Sequence, residues 1–281
     1  MEIIYSKKCL NYDKSHPEWD YRVRWIESIW KEIILDSQTE ILKILYDQHY
    51  INKIRNSCKW NHYLRSIERE WSNNLYISAV ESVNLAISAY NYWNFAITRP
   101  PWHHWKINKP MWFCLFNNIA IVTKSILDKS KKVCIIDIDW HYGNWTDSIF
   151  QNNDNVLYIS LHQVNSYASN LISKKILKKI NKWLSIHKNL NKWTLWDEYI
   201  SIFESVIPDI LRFNPDVIWI SAGFDTYFKE ELLDLKLQND DYFKLWKIIS
   251  NIKKRTFALL EWGYHSDLLL NIQNFVNWFN S

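Results

Sequence analysis

Three side chains able to do chemistry, Asp137, Asp139 and His141, alternate along the stretch VCIIDIDWHYGNWT, residues 133–146. Its apolar, β-branched opening predicts a buried strand. Side chains at i, i+2 and i+4 of an extended segment share a face, so two carboxylates and an imidazole converge where the strand leaves its sheet. Carboxylate oxygen and imidazole nitrogen are ligands for a divalent metal such as zinc. A solvated strand end whose acids cap the next helix would use the same residues. The triplet alone leaves both readings open.

Three further stretches carry reactive groups. RPPWHHW (99–105) presents His103 and His104 after two prolines, and an imidazole titrates near neutrality, as a proton shuttle requires. ISAGFDTYFKE (220–230) places Asp225 just past an apolar run, where it serves either as a third metal ligand or as a helix N-cap. LLEWGYHSDLL (260–270) places Tyr264 in the same way, and a phenol there can donate to a developing oxyanion. Asp139, His141 and Asp225 together leave a metal position open to water or substrate. Paired imidazoles and a phenol beside such a metal suit hydrolysis of an amide.

These groups need strands to hold them. Apolar runs predict strands at 95–98, 133–139, 156–162, 217–222 and 256–260. Helical spacing falls in 11–36 (after His16-Pro17-Glu18), 40–47, 77–92, 114–129, 198–212 and 239–251, while 56–76 and 163–197 read as irregular. Strands alternating with helices predict one α/β domain over residues 1–281, a mostly parallel sheet with helices on both faces. In such folds functional groups gather outside the carboxyl ends of the strands. The reactive residues all follow a predicted strand.

The formal net charge of +4 over 281 residues is spread along the chain and gives no nucleic-acid footprint. Four cysteines lack Cys-x-x-Cys spacing, and no signal-peptide core or membrane-length apolar run is visible, so a reducing cytoplasm and no membrane are expected. The composition is abnormal in one respect. Eighteen tryptophans and three glycines are 21 of 281 residues, about 7%, the usual share of glycine alone.

RPPWHHW, MWFCLFNNIAI (111–121), IDIDWHYGNWT (136–146), VLYISLH (156–162), ISAGFD (220–225) and LEWGY (260–264) resemble, in order and spacing, the motifs of the histone deacetylase and acetylpolyamine amidohydrolase superfamily. The resemblance runs from about residue 11 to about residue 270 and implies an arginase/deacetylase-like fold. It implies zinc held by Asp139, His141 and Asp225. His103 and His104 would handle the attacking water and the leaving amine. Asp137 would stand behind the first His, Asn144 behind the second, and Tyr264 would polarise the acetyl carbonyl. Phe113 matches one wall of an acyl-lysine channel. Asp137, Asp139, His141, Ser160 and Leu161 match a structural potassium site. The substrate implied is an acetylated lysine peptide or a small acetylated amine.

The chain departs from the pattern in places. Tyr142 replaces the second His of His-His-Gly, and Tyr227, Glu230 and Glu231 replace a His and an Asp-Pro. Trp102, Trp112, Trp145 and Trp262 stand where the family has glycine, and indoles there, with Trp102 and Trp262 at the channel, would crowd the site. Some genetic codes read UGA as glycine where another reads tryptophan, so the excess tryptophan is either real or recoded glycine. Two other functions use the same residues: a catalytically impaired acyl-lysine-binding module, and a ureohydrolase-like enzyme with two metal ions.

Overall fold

The computed structural model describes residues 1–10, 22–23, 30–59, 72–101, 103, 115–127, 129, 131–163, 184–230 and 234–276. Eight strands form one sheet. They are β1 (Ile3–Tyr5), β2 (Lys31–Glu32), β3 (Phe95–Ala96), β4 (Val133–Asp137), β5 (Val156–Gln163), β6 (Ser185–Leu190), β7 (Val217–Ala222) and β8 (Arg255–Leu260). Their order is β2-β1-β3-β8-β7-β4-β5-β6, and all seven pairings are parallel. β4, β5 and β7 are buried along their whole length. Their near-continuous apolar runs, polar only toward the carboxyl ends, are what a strand covered on both faces requires.

The described residues include eight α-helices about the sheet: α1 (Gln48–Lys59), α2 (Asn73–Tyr92), α3 (Asn118–Leu127), α4 (Asn144–Phe150), α5 (Trp196–Glu204), α6 (Ile207–Phe213), α7 (Asn239–Ser250) and α8 (Leu268–Val276). On one face α2 and α3 lay Leu85, Ala86, Ala89, Ile119 and Val122 against Ile135, Trp219 and Phe257. On the other, α5 to α8 lay Phe203, Ile210, Leu245 and Ile272 against Ile136, Ile220 and Ala258. Ser72 caps α2 by accepting from the Leu75 N–H, which satisfies a donor that the first helical turn leaves open.

Several expectations change. β1 was not foreseen, and β2 (Lys31–Glu32) overturns the helix expected through 36, because runs of three and two residues show no periodicity and are defined by their pairing. Residues 163–197 contain β6, a polar strand that pairs with β5 alone, so its sequence (SIHKNL) lacks an apolar run. The helix expected over 198–212 is two, α5 and α6, and Pro208 sits in the first turn of the second, where its missing N–H is harmless. Within the stretch expected to be irregular at 56–76, α1 reaches Lys59 and α2 starts at Asn73, and residues 60–71 lie outside the described residues. Four non-glycine residues have positive φ: Trp93 (59°), Trp193 (66°), Asn214 (53°) and Lys253 (56°). Asn is a usual occupant of that region; a bulky side chain there costs roughly 1–2 kcal/mol.

Candidate metal centre and active site

β3, β8, β7 and β4 are consecutive neighbours in the sheet, and their carboxyl ends are level. Asp137 at the end of β4 pairs with Ser221 of β7 on one side and Ser160 of β5 on the other. The chain leaving β4 therefore carries Asp139 and His141 toward Asp225, which follows β7. One ligand atom from each of Asp139, His141 and Asp225 lies within 4.8 Å of the other two. His141 Nδ1 is 3.1 Å from Asp139 Oδ1 and 3.0 Å from Asp225 Oδ2. Asp139, His141 and Asp225 lie in the loops after the strands, not on an extended β4 as the alternation implied.

Main-chain donors orient both carboxylates. The Trp140 N–H donates to Asp225 Oδ1 at 2.9 Å, so Asp225 is not a helix N-cap. The N–H groups of His141 and Trp262 donate to Asp139 Oδ1 and Oδ2 at 2.8 and 3.1 Å. Two glycines make the close approach possible. A Cβ on Gly223 would meet the Asp139 Cα at 2.5 Å, and one on Gly143 would meet the Tyr158 hydroxyl at 2.6 Å and His103 Nδ1 at 3.1 Å.

The electrostatics favour a cation. Burial and then the like charge of Asp139 raise the Asp225 carboxyl to about 7. Burial opposes charge on His141, yet its hydrogen bonds to Asp139 and Asp225 outweigh it and raise the imidazole to about 9. Two buried carboxylates thus compete for positive charge at one point. Oxygen and nitrogen donors with unmet demand for charge fit a divalent metal ion. Among the described residues no second such group stands nearby, so the two-metal ureohydrolase reading finds no support there.

Next to this corner, His103 is fully buried. Its Nδ1 is 3.2 Å from Asp137 Oδ2, and its Nε2 is 3.3 Å from Asp139 Oδ1. Burial disfavours its charge, but Asp139 and Asp137 prevail and raise the imidazole to about 10. The Tyr158 hydroxyl donates to Asp137 Oδ2 at 2.8 Å and so fixes the carboxylate behind the imidazole. Asn144 opens α4, and its Oδ1 is buried without a hydrogen-bond partner among the described residues.

Tyr264 is half-buried on the loop after β8. Its N–H donates to Glu230 at 2.9 Å, and the Arg22 guanidinium lies 4.9 Å from the centre of its ring. Arg22 also donates to the Gly263 and Glu261 carbonyls. Sequence reasoning missed Arg22 and Tyr158 and saw Glu230 only as a departure. Arg22 stands more than two hundred residues from Glu261, Gly263 and Tyr264, which it touches, and Tyr158 reads as one more apolar strand residue. His104, Phe113, Trp102, Trp112 and Glu231 lie outside the described residues.

Ser160 and Leu161 are buried on β5 beside Asp137, so the residues assigned to potassium are neighbours. Trp262 is half-buried and its ring centre is 4.6 Å from that of His141. It does crowd the corner. Trp145 does not. It points from α4 into a cluster with Leu42, Ile54 and Phe116, its ring 5.8 Å from Tyr46.

No described helix is long and apolar enough to cross a membrane. The fold has close likenesses among solved structures. Acetylpolyamine aminohydrolase from Burkholderia pseudomallei superposes with a TM-score of 0.83 at 18% identity, over 100% of this chain and 99% of that one. The HDA15 HD domain superposes with a TM-score of 0.82 at 23% identity, covering 100% and 91%. In sequence, the chain is 29% identical to acetylpolyamine amidohydrolase 1 of Pseudomonas aeruginosa over 54% of its own length and 45% of the relative's. It is 32% identical to a probable deacetylase of Archaeoglobus fulgidus, over 54% and 44%. The aligned parts thus span about half the length of these curated relatives. A family described as the histone deacetylase domain matches residues 35–277. That match takes in all four strand ends around the Asp139–His141–Asp225 corner, and by it the chain belongs to the histone deacetylase domain family.

Proposed function

We propose that the chain is a zinc-dependent amidohydrolase, acting as one catalytic domain, which removes an acetyl or other acyl group from the nitrogen of a lysine side chain or of a small amine. The observation that carries this reading is the abutment of two arrangements: the Asp139–His141–Asp225 corner and the buried His103–Asp137 pair. Relatives named as an acetylpolyamine amidohydrolase and as histone deacetylases support an acetylated amine or lysine as substrate.

Asp139, His141 and Asp225 would hold the cation, which supplies Lewis acidity toward a carbonyl and, for zinc, brings the pKa of a water to about 7. The protein's own groups do the rest. A cation on Asp139 would offset the carboxylate charge that raises the His103 imidazole, and with Nδ1–H held by Asp137 its Nε2 would then take a proton from the attacking water. Such proton transfer is worth about 10²–10⁴-fold in rate. The Tyr264 hydroxyl donates to the oxyanion as the carbonyl becomes tetrahedral, and Arg22 and Glu230 keep its loop in place. The protonated imidazole of His103, or of its neighbour His104, returns a proton to the leaving amine nitrogen. A monovalent cation beside Asp137, Ser160 and Leu161 would steady the loop that carries Asp139. Buried thiols at Cys9, Cys58 and Cys134 suit a reducing cytoplasm.

The position of the Trp262 ring over His141 favours a second reading, an acyl-lysine-binding module with impaired catalysis. Protein purified from its own cells distinguishes them. Assayed on acetyl-lysine peptides and on acetylated polyamines, it is expected to turn over one class, to lose that activity to a chelator and to regain it with zinc. Metal-loaded protein that binds acetyl-lysine but hydrolyses neither class would establish the binding module instead.

A further inference from the structure

We propose that Trp93, Trp145, Trp193, Trp219 and Trp262 are glycines in the protein the cell makes, their UGA codons being decoded as glycine. Backbone conformation and packing each single out some of these positions, and the places where glycine remains fit the same reading.

The first is backbone conformation. Trp93 closes α2 with φ 59° and ψ 46°, the left-handed position after a helix where glycine is the usual residue. Trp193 has φ 66° in the turn before α5. Among the described residues tryptophan thus holds two of the four left-handed non-glycine positions. Glycine enters that region without steric cost, whereas a bulky side chain there is a true outlier.

The second is packing. Trp219 and Phe257 are direct partners across β7 and β8, and their ring centres are 3.9 Å apart. Aromatic pairs settle at about 4.5–7 Å. Tyr90 and Trp93 meet the same Phe257 ring at the ordinary distances of 5.5 and 6.2 Å. Trp145 and Trp219 are fully buried, and among the described residues neither indole N–H has a hydrogen-bond partner. A buried tryptophan normally finds one. At Trp262 the indole stands on the His141 imidazole and 6.3 Å from the His103 ring, in the space a substrate needs to reach both.

The third is where glycine survives. Gly143, Gly223 and Gly263 are the chain's three glycines, and all of them border the Asp139–His141–Asp225 corner. A chain that merely lacked glycine would fill its left-handed turns with Asn, as at Asn214, or with Lys, as at Lys253. Tryptophan in such turns, in a strand pair too tight for it and over a metal-ligand ring has one chemical alternative in common: no side chain.

Peptide mass spectrometry of the protein isolated from its own cells reads this directly, whatever reaction the protein catalyses. Peptides spanning positions 93, 193, 219 and 262 are expected to be lighter than written by the mass difference between tryptophan and glycine. Tryptophan found at positions 193 and 262 overturns the proposal. A second test uses recombinant chain with tryptophan at every written position. Trp193 is 61% exposed and buries little there, so Trp193→Gly relieves the backbone at small loss of packing and is expected to raise the melting temperature by about 2–4 °C. An unchanged or lowered melting temperature counts against the conformational argument.

Discussion

At the scale of single residues, the metal corner and the oxyanion donor do different work, and mutations should separate them. Asp225→Ala removes a buried ligand from the Asp139–His141–Asp225 group. It is expected to abolish zinc binding and hydrolysis while the circular dichroism spectrum is retained; full zinc content by elemental analysis would exclude Asp225 as a ligand. Tyr264→Phe deletes only a hydroxyl. If that hydroxyl meets the oxyanion alone, kcat falls about 10²–10³-fold with zinc content and KM little changed. A kcat within a factor of two of wild type would remove Tyr264 from the chemistry. His265 offers a pH test. Burial is the main cause of its imidazole falling from 6.5 to about 4, and its Nε2–H donates to the Phe224 carbonyl at 3.0 Å. Between those two pH values the unfolded chain binds a proton that the folded chain refuses. Stability therefore rises with pH across this window, is complete above 6.5, and loses about 3 kcal/mol through this group by pH 4. Urea unfolding as a function of pH should show that slope, and His265→Gln should flatten it. An identical slope in the variant would assign the acid loss to other groups.

At the scale of elements, the site depends on how closely the ends of β4 and β7 approach. Gly223 sits where those ends meet, with room for no Cβ against the Asp139 main chain. Gly223→Ala is expected to destabilise the fold by about 1–3 kcal/mol, an overpacking cost, and to weaken zinc binding because Asp139 must move. Urea unfolding together with a zinc titration checks both, and wild-type values for both would mean the loops adapt freely. The central strands were legible in the sequence because burial on both faces imposes a near-continuous apolar run, as in VCIID and VIWISA. The meeting of Asp139, His141 and Asp225 was legible for a related reason: a strand's end has a fixed address, and these three are written beside it. What escaped was whatever depends on distant partners. β6 is polar because it is an outer strand. Arg22 reaches Tyr264 across more than two hundred residues. Trp145 looked like an active-site residue from its motif, but α4 turns it away, since a helix distributes neighbouring side chains over different faces.

For the whole molecule, the strand order has a consequence for synthesis on the ribosome. β1, β2 and β3 come from the first 96 residues, and β4, β5 and β6 from residues 133–190. Neither group pairs with the other. The two half-sheets are bridged by β7 and β8 alone, since β3 pairs with β8 and β4 with β7. A nascent chain that has not yet emerged past Leu260 therefore holds two unconnected pieces, each with an open hydrogen-bonding edge and an uncovered apolar face. Such edges recruit other chains. Of the described strands β8 is the last to leave the ribosome, and it joins the halves; the loop just behind it carries Tyr264 toward Asp139, His141 and Asp225, which the pairing of β4 with β7 already holds together.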